Sequence, residues 1–140
     1  MLTGIAGLPP QANYLAAAKP CFHHWQGASG RWWITTVYPL LASHIDLPAV
    51  YLMVRRDVNG LAHPLYIGQT SNTARRMNEH QSDKIRQATV LGGSELHLHF
   101  LAEREWERFA IETDLRNGHH APLNRQDTAV ASGLFGLLGR

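Results

Sequence analysis

The chain has 140 residues, with 13 Lys/Arg against 11 Asp/Glu and a net charge of +2. That length suits one domain with a real core and is too short for two of ordinary size, and the charge excludes a general polycationic nucleic-acid binder. A single cysteine, Cys21, excludes an internal disulfide; no run approaches a membrane span, and the apolar start carries Pro9-Pro10 and no basic leader, so the expectation is a soluble, cytoplasmic protein with no membrane partner.

Taken in order, Met1 to Gly7 is small and apolar, and Gln11 to Lys19 suits a short helix. Phe22 to Trp33 then gathers three tryptophans and Arg31 around Gln26-Gly27-Ala28-Ser29-Gly30, a turn-like run. Trp32 to Tyr38 reads as a strand or buried segment leading into Pro39. Cys21, His23 and His24 invite a metal reading, but they lack a second ligand pair at zinc spacing. Two fates stay open for the aromatic residues here: core packing, or stacking on the bases of a substrate.

Ala49 to Val54 is a β-branched and apolar run, Asp57-Val58-Asn59-Gly60 is turn chemistry, and Leu65-Tyr66-Ile67 is a second short run ending at Gly68. This predicts a hairpin with one tyrosine on each strand. Side chains of matching parity on neighbouring antiparallel strands share a face, so the hydroxyls of Tyr51 and Tyr66 converge. Ser71-Asn72-Thr73 offers caps for a helix holding Ala74 to His80, on which Arg76 and His80, four residues apart, lie on one side. A phosphate fits beside such a group. Half-buried sheet tyrosines beside a solvated arginine would look the same residue by residue.

Gln81 to Gly93 reads as an irregular finish to that helix, broken at Gly92-Gly93. Glu95 to Leu101 alternates, with Leu96, Leu98 and Phe100 on one face and His97 and His99, expected exposed, on the other. Glu103 to Asn117 is the best helix. Trp106, Phe109, Ala110 and Thr113 form its apolar face, and Gly118 stands where a left-handed C-terminal residue belongs. Glu112, in mid-helix, is either a surface partner of Arg108 or Arg116 or a carboxylate aimed at the tyrosines. Beyond a loop in which Pro122 stiffens the approach to Asn124, the tail from 129 to 140 is apolar and interrupted by glycine.

The central stretch resembles the GIY-YIG nuclease family, named for two tripeptides on adjacent strands. The second is intact as Tyr66-Ile67-Gly68; the first is Ala49-Val50-Tyr51, with alanine where the family usually has glycine. The family places an arginine ten residues after the second tyrosine and a histidine four later, as Arg76 and His80 stand here, then a metal-binding glutamate on a later helix and an asparagine beyond it, as Glu112 and Asn124 do. The extra methyl of Ala49 is expected to cause slight local rearrangement and no loss of chemistry.

The resemblance implies an α/β (α+β) domain over 48–128, a three-stranded, mainly antiparallel sheet flanked by helices, with an aromatic-rich extension over 1–47 and a tail over 129–140. It implies an endonuclease that hydrolyses DNA phosphodiester bonds with Mg²⁺, Mn²⁺ substituting. Tyr51, with Tyr66 beside it, accepts a proton from water, which asks Arg76 and the cation to lower a phenol pKa of about 10. Arg76 binds the scissile phosphate, His80 orients a tyrosine or relays the proton, Glu112 holds the metal, and Asn124 and Gly68 support the site. From 48 to 93 there are six Lys/Arg against three Asp/Glu, and from 94 to 128 four against seven. The first half is therefore the phosphate-facing one, with Arg55, Arg56, Arg75 and Lys84 as candidate nucleic-acid contacts. The alternative is a non-catalytic nucleic-acid-binding or partner-binding module on the same fold. A recruiting factor, or an immunity protein if the chain is a toxin delivered into another cell, would bind the extension or the tail.

Overall fold

The computed structural model describes residues 21–124. The helix expected over 11–19 and the tail lie outside the described residues. In chain order the elements are β1 (Phe22–Gln26), β2 (Trp32–Pro39), β3 (Ala49–Arg56), β4 (Ala62–Thr70), α1 (Thr73–His80), α2 (Lys84–Val90), β5 (Glu95–His99) and α3 (Glu105–Gly118). None of the described helices is long and apolar enough to cross a membrane.

The sheet has five strands in the order β1-β2-β5-β3-β4, all antiparallel, in place of the expected three. The two extra strands come from the aromatic N-terminal region. β2 pairs along β5, from Thr36 opposite Leu98 to Pro39 opposite Glu95, so it covers an edge that three strands would leave open. Helix α3 pins the β1–β2 turn: the Asp114 carboxylate accepts from Ser29 N at 2.7 Å, Ser29 Oγ at 2.7 Å and Trp33 Nε1 at 2.9 Å. Gly27 permits this approach, since a Cβ there would fall 1.9 Å from an Asp114 oxygen. Gly118, expected in a left-handed conformation, does not have a positive φ. Its missing side chain instead lets the helix end close on Ala28, whose N would lie 2.8 Å from a Cβ.

β3 is buried over Ala49–Val54 because both its faces are covered, which is why it reads as an unbroken apolar run. Ala49, Tyr51 and Met53 join Leu65, Met77, Ile85, Leu96 and Leu98 on the side of α1 and α2, while Val50, Leu52 and Val54 join Trp25, Ile67, Ile111 and Leu115 on the side of α3. Ala49 starts the strand in register with Thr70, wholly buried.

Three further expectations are corrected. Gln81 to Gly93 is not an irregular helix tail: Asp83 accepts a hydrogen bond from Lys84 N and starts the separate helix α2. His97 and His99 alternate as expected but are buried, because β2 and the β1 tryptophan cover the face they share. On α3 the buried side is Arg108, Ile111 and Leu115, spaced three and four apart, whereas Trp106 and Phe109 are exposed. The helix turns its smaller aliphatic stripe inward.

Candidate active site

The two tyrosines meet as their parity predicts. Tyr51 pairs with Gly68 and Met53 with Tyr66 across β3 and β4, so the rings are diagonal neighbours on one face, with centroids 6.1 Å apart. An irregularity in register between Met53 and Val54 lets the successive residues Leu65 and Tyr66 both pack toward α1 and α2. Gly68 makes room for the phenol, because a Cβ there would lie 2.5 Å from the Tyr51 hydroxyl.

Helix α1 carries the next two groups. Asn72 caps it, its side chain accepting from Arg75 N at 2.9 Å, and the chain before β3 supplies Leu47 O and Ile45 O to the Thr73 and Ala74 amides. His80 is buried, with Nε2 2.8 Å from the Tyr51 hydroxyl and its ring 5.5 Å from that of Tyr66. Arg76 directs Nε to the Tyr51 oxygen at 3.5 Å and Nη1 to Glu79 Oε1 at 3.0 Å. Its pKa is raised, first by the bond to Tyr51, so it stays cationic.

Glu112 of α3 is half-buried. Burial raises its pKa, with Arg116 opposing, and its charge in turn disfavours ionisation of Tyr51. The surface pairing with Arg108 is overturned: Arg108 is buried and gives its guanidinium to Gln69 Oε1 at 3.0 Å, Ala102 O at 3.4 Å and Glu103 O. Asn124 grips the outer edge of β4, Oδ1 accepting from Ile67 N at 2.6 Å and Nδ2 donating to Ile67 O at 2.9 Å. In effect it supplies one residue of a missing strand between Tyr66 and Gly68.

Arg76 does act to lower the Tyr51 pKa, through its hydrogen bond and its charge, as expected of it. Burial and then Tyr66 push the phenol above its usual range, and Arg76 offsets only part of this. Tyr51 therefore keeps its proton until the proton has somewhere to go.

The structure brings Tyr51, Tyr66, Arg76 and His80 together, with Glu112 near enough to feel Tyr51 and Gly68 and Asn124 shaping the strand beneath. The basic candidates are placed differently. Arg75 is exposed on α1, whereas Lys84 is buried with Nζ 5.3 Å from the centre of the Tyr66 ring. Arg55 lies against Gly92, and Arg56 forks onto Glu95 at 2.7 and 3.1 Å. Sequence reasoning missed Asp83, whose Oδ1 lies 3.2 Å from His80 Nδ1. Its signal, an acidic residue three positions after the histidine, was absorbed into the expected helix tail. Cys21 is exposed and His23 stacks on Trp25 at 4.4 Å.

Among the described residues no group of three or more His, Cys, Asp or Glu is arranged to hold a metal ion. Glu112 nevertheless suits a Mg²⁺ of the kind that takes one protein carboxylate and otherwise leans on water and substrate oxygens, and a cation there would favour the ionised carboxylate that burial disfavours.

Neither a curated protein nor a solved structure matches the chain. The family model of the GIY-YIG catalytic domain matches residues 48–124, more than half of it. The match runs from the start of the tyrosine hairpin to the asparagine that clasps it, and the chain belongs to the GIY-YIG nuclease family.

Proposed function

We propose that the chain is a metal-dependent endonuclease that hydrolyses DNA phosphodiester bonds. The observation that carries this is the Tyr51–His80 contact at 2.8 Å with Arg76 at the same oxygen. Arg76 has two of its nitrogens on Tyr51 and Glu79, and Nη2 faces no partner among the described residues, so its planar fork has a donor for a phosphate oxygen. Water gives a proton to the Tyr51 oxygen as the phenol passes its own to His80 Nε2; the water oxygen attacks phosphorus, and the P–O bond to the 3′ oxygen breaks with its electron pair. A raised Tyr51 pKa fits this concerted exchange, since no free phenolate has to form. Glu112 would hold the divalent cation, which when bound would supply Lewis-acid stabilisation of charge on the phosphate and the leaving oxygen.

Nicking of a supercoiled plasmid tests the reading. Cleavage is expected with Mg²⁺, none in EDTA, and recovery on adding Mn²⁺. Arg76→Ala should fold normally and cut at least about a hundredfold more slowly, on the order of the loss of one transition-state charge donor. Glu112→Gln should stop cleavage and leave DNA binding unchanged or slightly tighter, because a negative charge near the phosphates is gone. DNA binding without cleavage under every metal condition would make the chain a binding module instead.

A further inference from the structure

We propose that Asp83 is a positioning residue that holds His80 in the Nδ1–H tautomer, so that Nε2 presents its lone pair to the Tyr51 hydroxyl. This rests on the nuclease reading for its purpose, although the assignment of the tautomer stands on geometry alone.

Asp83 Oδ1 lies 3.2 Å from His80 Nδ1 and also accepts from Lys84 N. An ionised carboxylate only accepts, so Nδ1 is the donor; in a neutral imidazole Nε2 is then the acceptor, and the 2.8 Å contact runs from the Tyr51 O–H to the histidine. The direction matters. With its proton aimed at His80, Tyr51 keeps oxygen lone pairs for the Arg76 Nε and for the proton of an attacking water. In the opposite tautomer Nε2–H would occupy a lone pair of that oxygen, and the phenol proton would have no acceptor in the histidine. Asp83 also stabilises the imidazolium once the proton has crossed, as a carboxylate does behind the histidine of an acyl-transfer triad.

Every group facing His80 bears on its titration: Tyr51 from β3, Tyr66 from β4, Arg76 on its own helix, and Asp83 and Lys84 at the start of α2. Burial lowers its pKa most, Asp83 raises it, and Arg76 and Lys84 lower it. The competing role for Asp83 is only to cap α2, and serine caps about as well as aspartate. Asp83→Ser therefore separates the two.

The experiment is ¹⁵N NMR of the imidazole nitrogens through a pH titration of the whole chain, wild type against Asp83→Ser, with nicking rates measured on the same samples. The wild type should show His80 protonated on Nδ1. The variant should lose that preference and titrate at lower pH, with an unchanged melting temperature. Cleavage should fall about ten- to hundredfold in kcat with little change in KM, short of the ~10⁴ of a buried triad aspartate because Asp83 is half exposed. The acid limb of the pH–rate profile should move to lower pH with the histidine. An unchanged tautomer and midpoint in the variant would overturn the proposal, as would an unchanged acid limb in an active enzyme. If the wild type does not cut, the nuclease reading fails, and the NMR comparison still decides whether Asp83 sets the tautomer.

Discussion

His80 and His97 lie on opposite faces of the sheet, and both are buried against a carboxylate. Asp83 stands 3.2 Å from one nitrogen of His80, and Glu95 stands 2.8 Å from one nitrogen of His97. The difference is at the other nitrogen. His80 meets the Tyr51 hydroxyl, which can donate or accept; His97 Nδ1 meets Trp25 Nε1 at 3.0 Å, and an indole N–H only donates. Protonating His80 leaves Nε2–H facing an oxygen that can accept. Protonating His97 on Nδ1 would set that N–H against the Trp25 N–H and leave it the Thr35 hydroxyl, 3.4 Å away, to turn to. Burial first, with Glu95 opposing, lowers the His97 pKa to about 4. The proposed proton exchange thus has a partner at one histidine–carboxylate pair, while the other is held neutral down to about pH 4, and the contrast lies in the atom each histidine faces.

The largest expected effect comes from removing the atom that makes His80 different. Tyr51→Phe keeps the ring and deletes the hydroxyl, so cleavage should fall by about two or more orders of magnitude. Thermal unfolding should show a loss of about 1 kcal/mol, the scale of one net hydrogen bond. Tyr66→Phe should slow cleavage less. A large stability loss with the folded fraction still active would put Tyr51 in the same class as Trp25, and the contrast between the faces would vanish.

The second effect is on stability and belongs to His97. Its folded pKa, about 4, lies below the ordinary 6.5, so the unfolded chain takes up the proton first. The neutral-histidine contribution is full above 6.5 and is lost as pH falls toward 4, on the order of 3 kcal/mol in all. Chemical denaturation from pH 7 to 4 should show that decline. Trp25→Phe should cost about 2 kcal/mol at pH 7, from the vacated volume and the lost bond. It should also flatten the acid decline, because the opposing N–H is gone, and leave the nicking rate per folded molecule intact. A decline of equal steepness in the variant would show that burial alone, and not the indole, sets His97.

Much of the reactive face is written in local spacing. Period two puts Tyr51 and Tyr66 together, four residues put Arg76 above His80, and Asn72 marks where the helix starts. What spacing does not carry is what covers a face. The alternation of β5 shows that His97 and His99 share a side, but they are buried by Trp25 and Trp33, which the β1–β2 hairpin brings beside β5 from far away in sequence. On α3 the aromatic residues outweigh the aliphatic ones in the sequence, yet Ile111 and Leu115 face the sheet, on the side from which Arg108 reaches Gln69. Asp83 was hidden by a helix boundary: the same aspartate ends one local pattern and begins the next.

The smallest effect tests how far the locked histidine extends. Arg56 forks onto Glu95, the carboxylate that faces His97 Nε2. Burial raises the Glu95 pKa, and the bonds from Arg56 and His97 more than offset it. Side chains 31% and 22% exposed are partly screened, so Arg56→Gln should lower stability by no more than about 1 kcal/mol at pH 7. Because its guanidinium is committed to Glu95, the variant should leave the salt dependence of DNA binding unchanged. Arg75, 61% exposed on α1 and 4.0 Å from Glu79, is the comparison. Arg75→Ala should leave stability within about 0.5 kcal/mol, and if Arg75 meets a phosphate the slope of log K against log salt should fall by about one. Binding titrations from low to moderate salt read both. A slope change in Arg56→Gln and none in Arg75→Ala would mean that DNA crosses the β3–β5 end of the sheet, over the locked histidine, and not the tyrosine face.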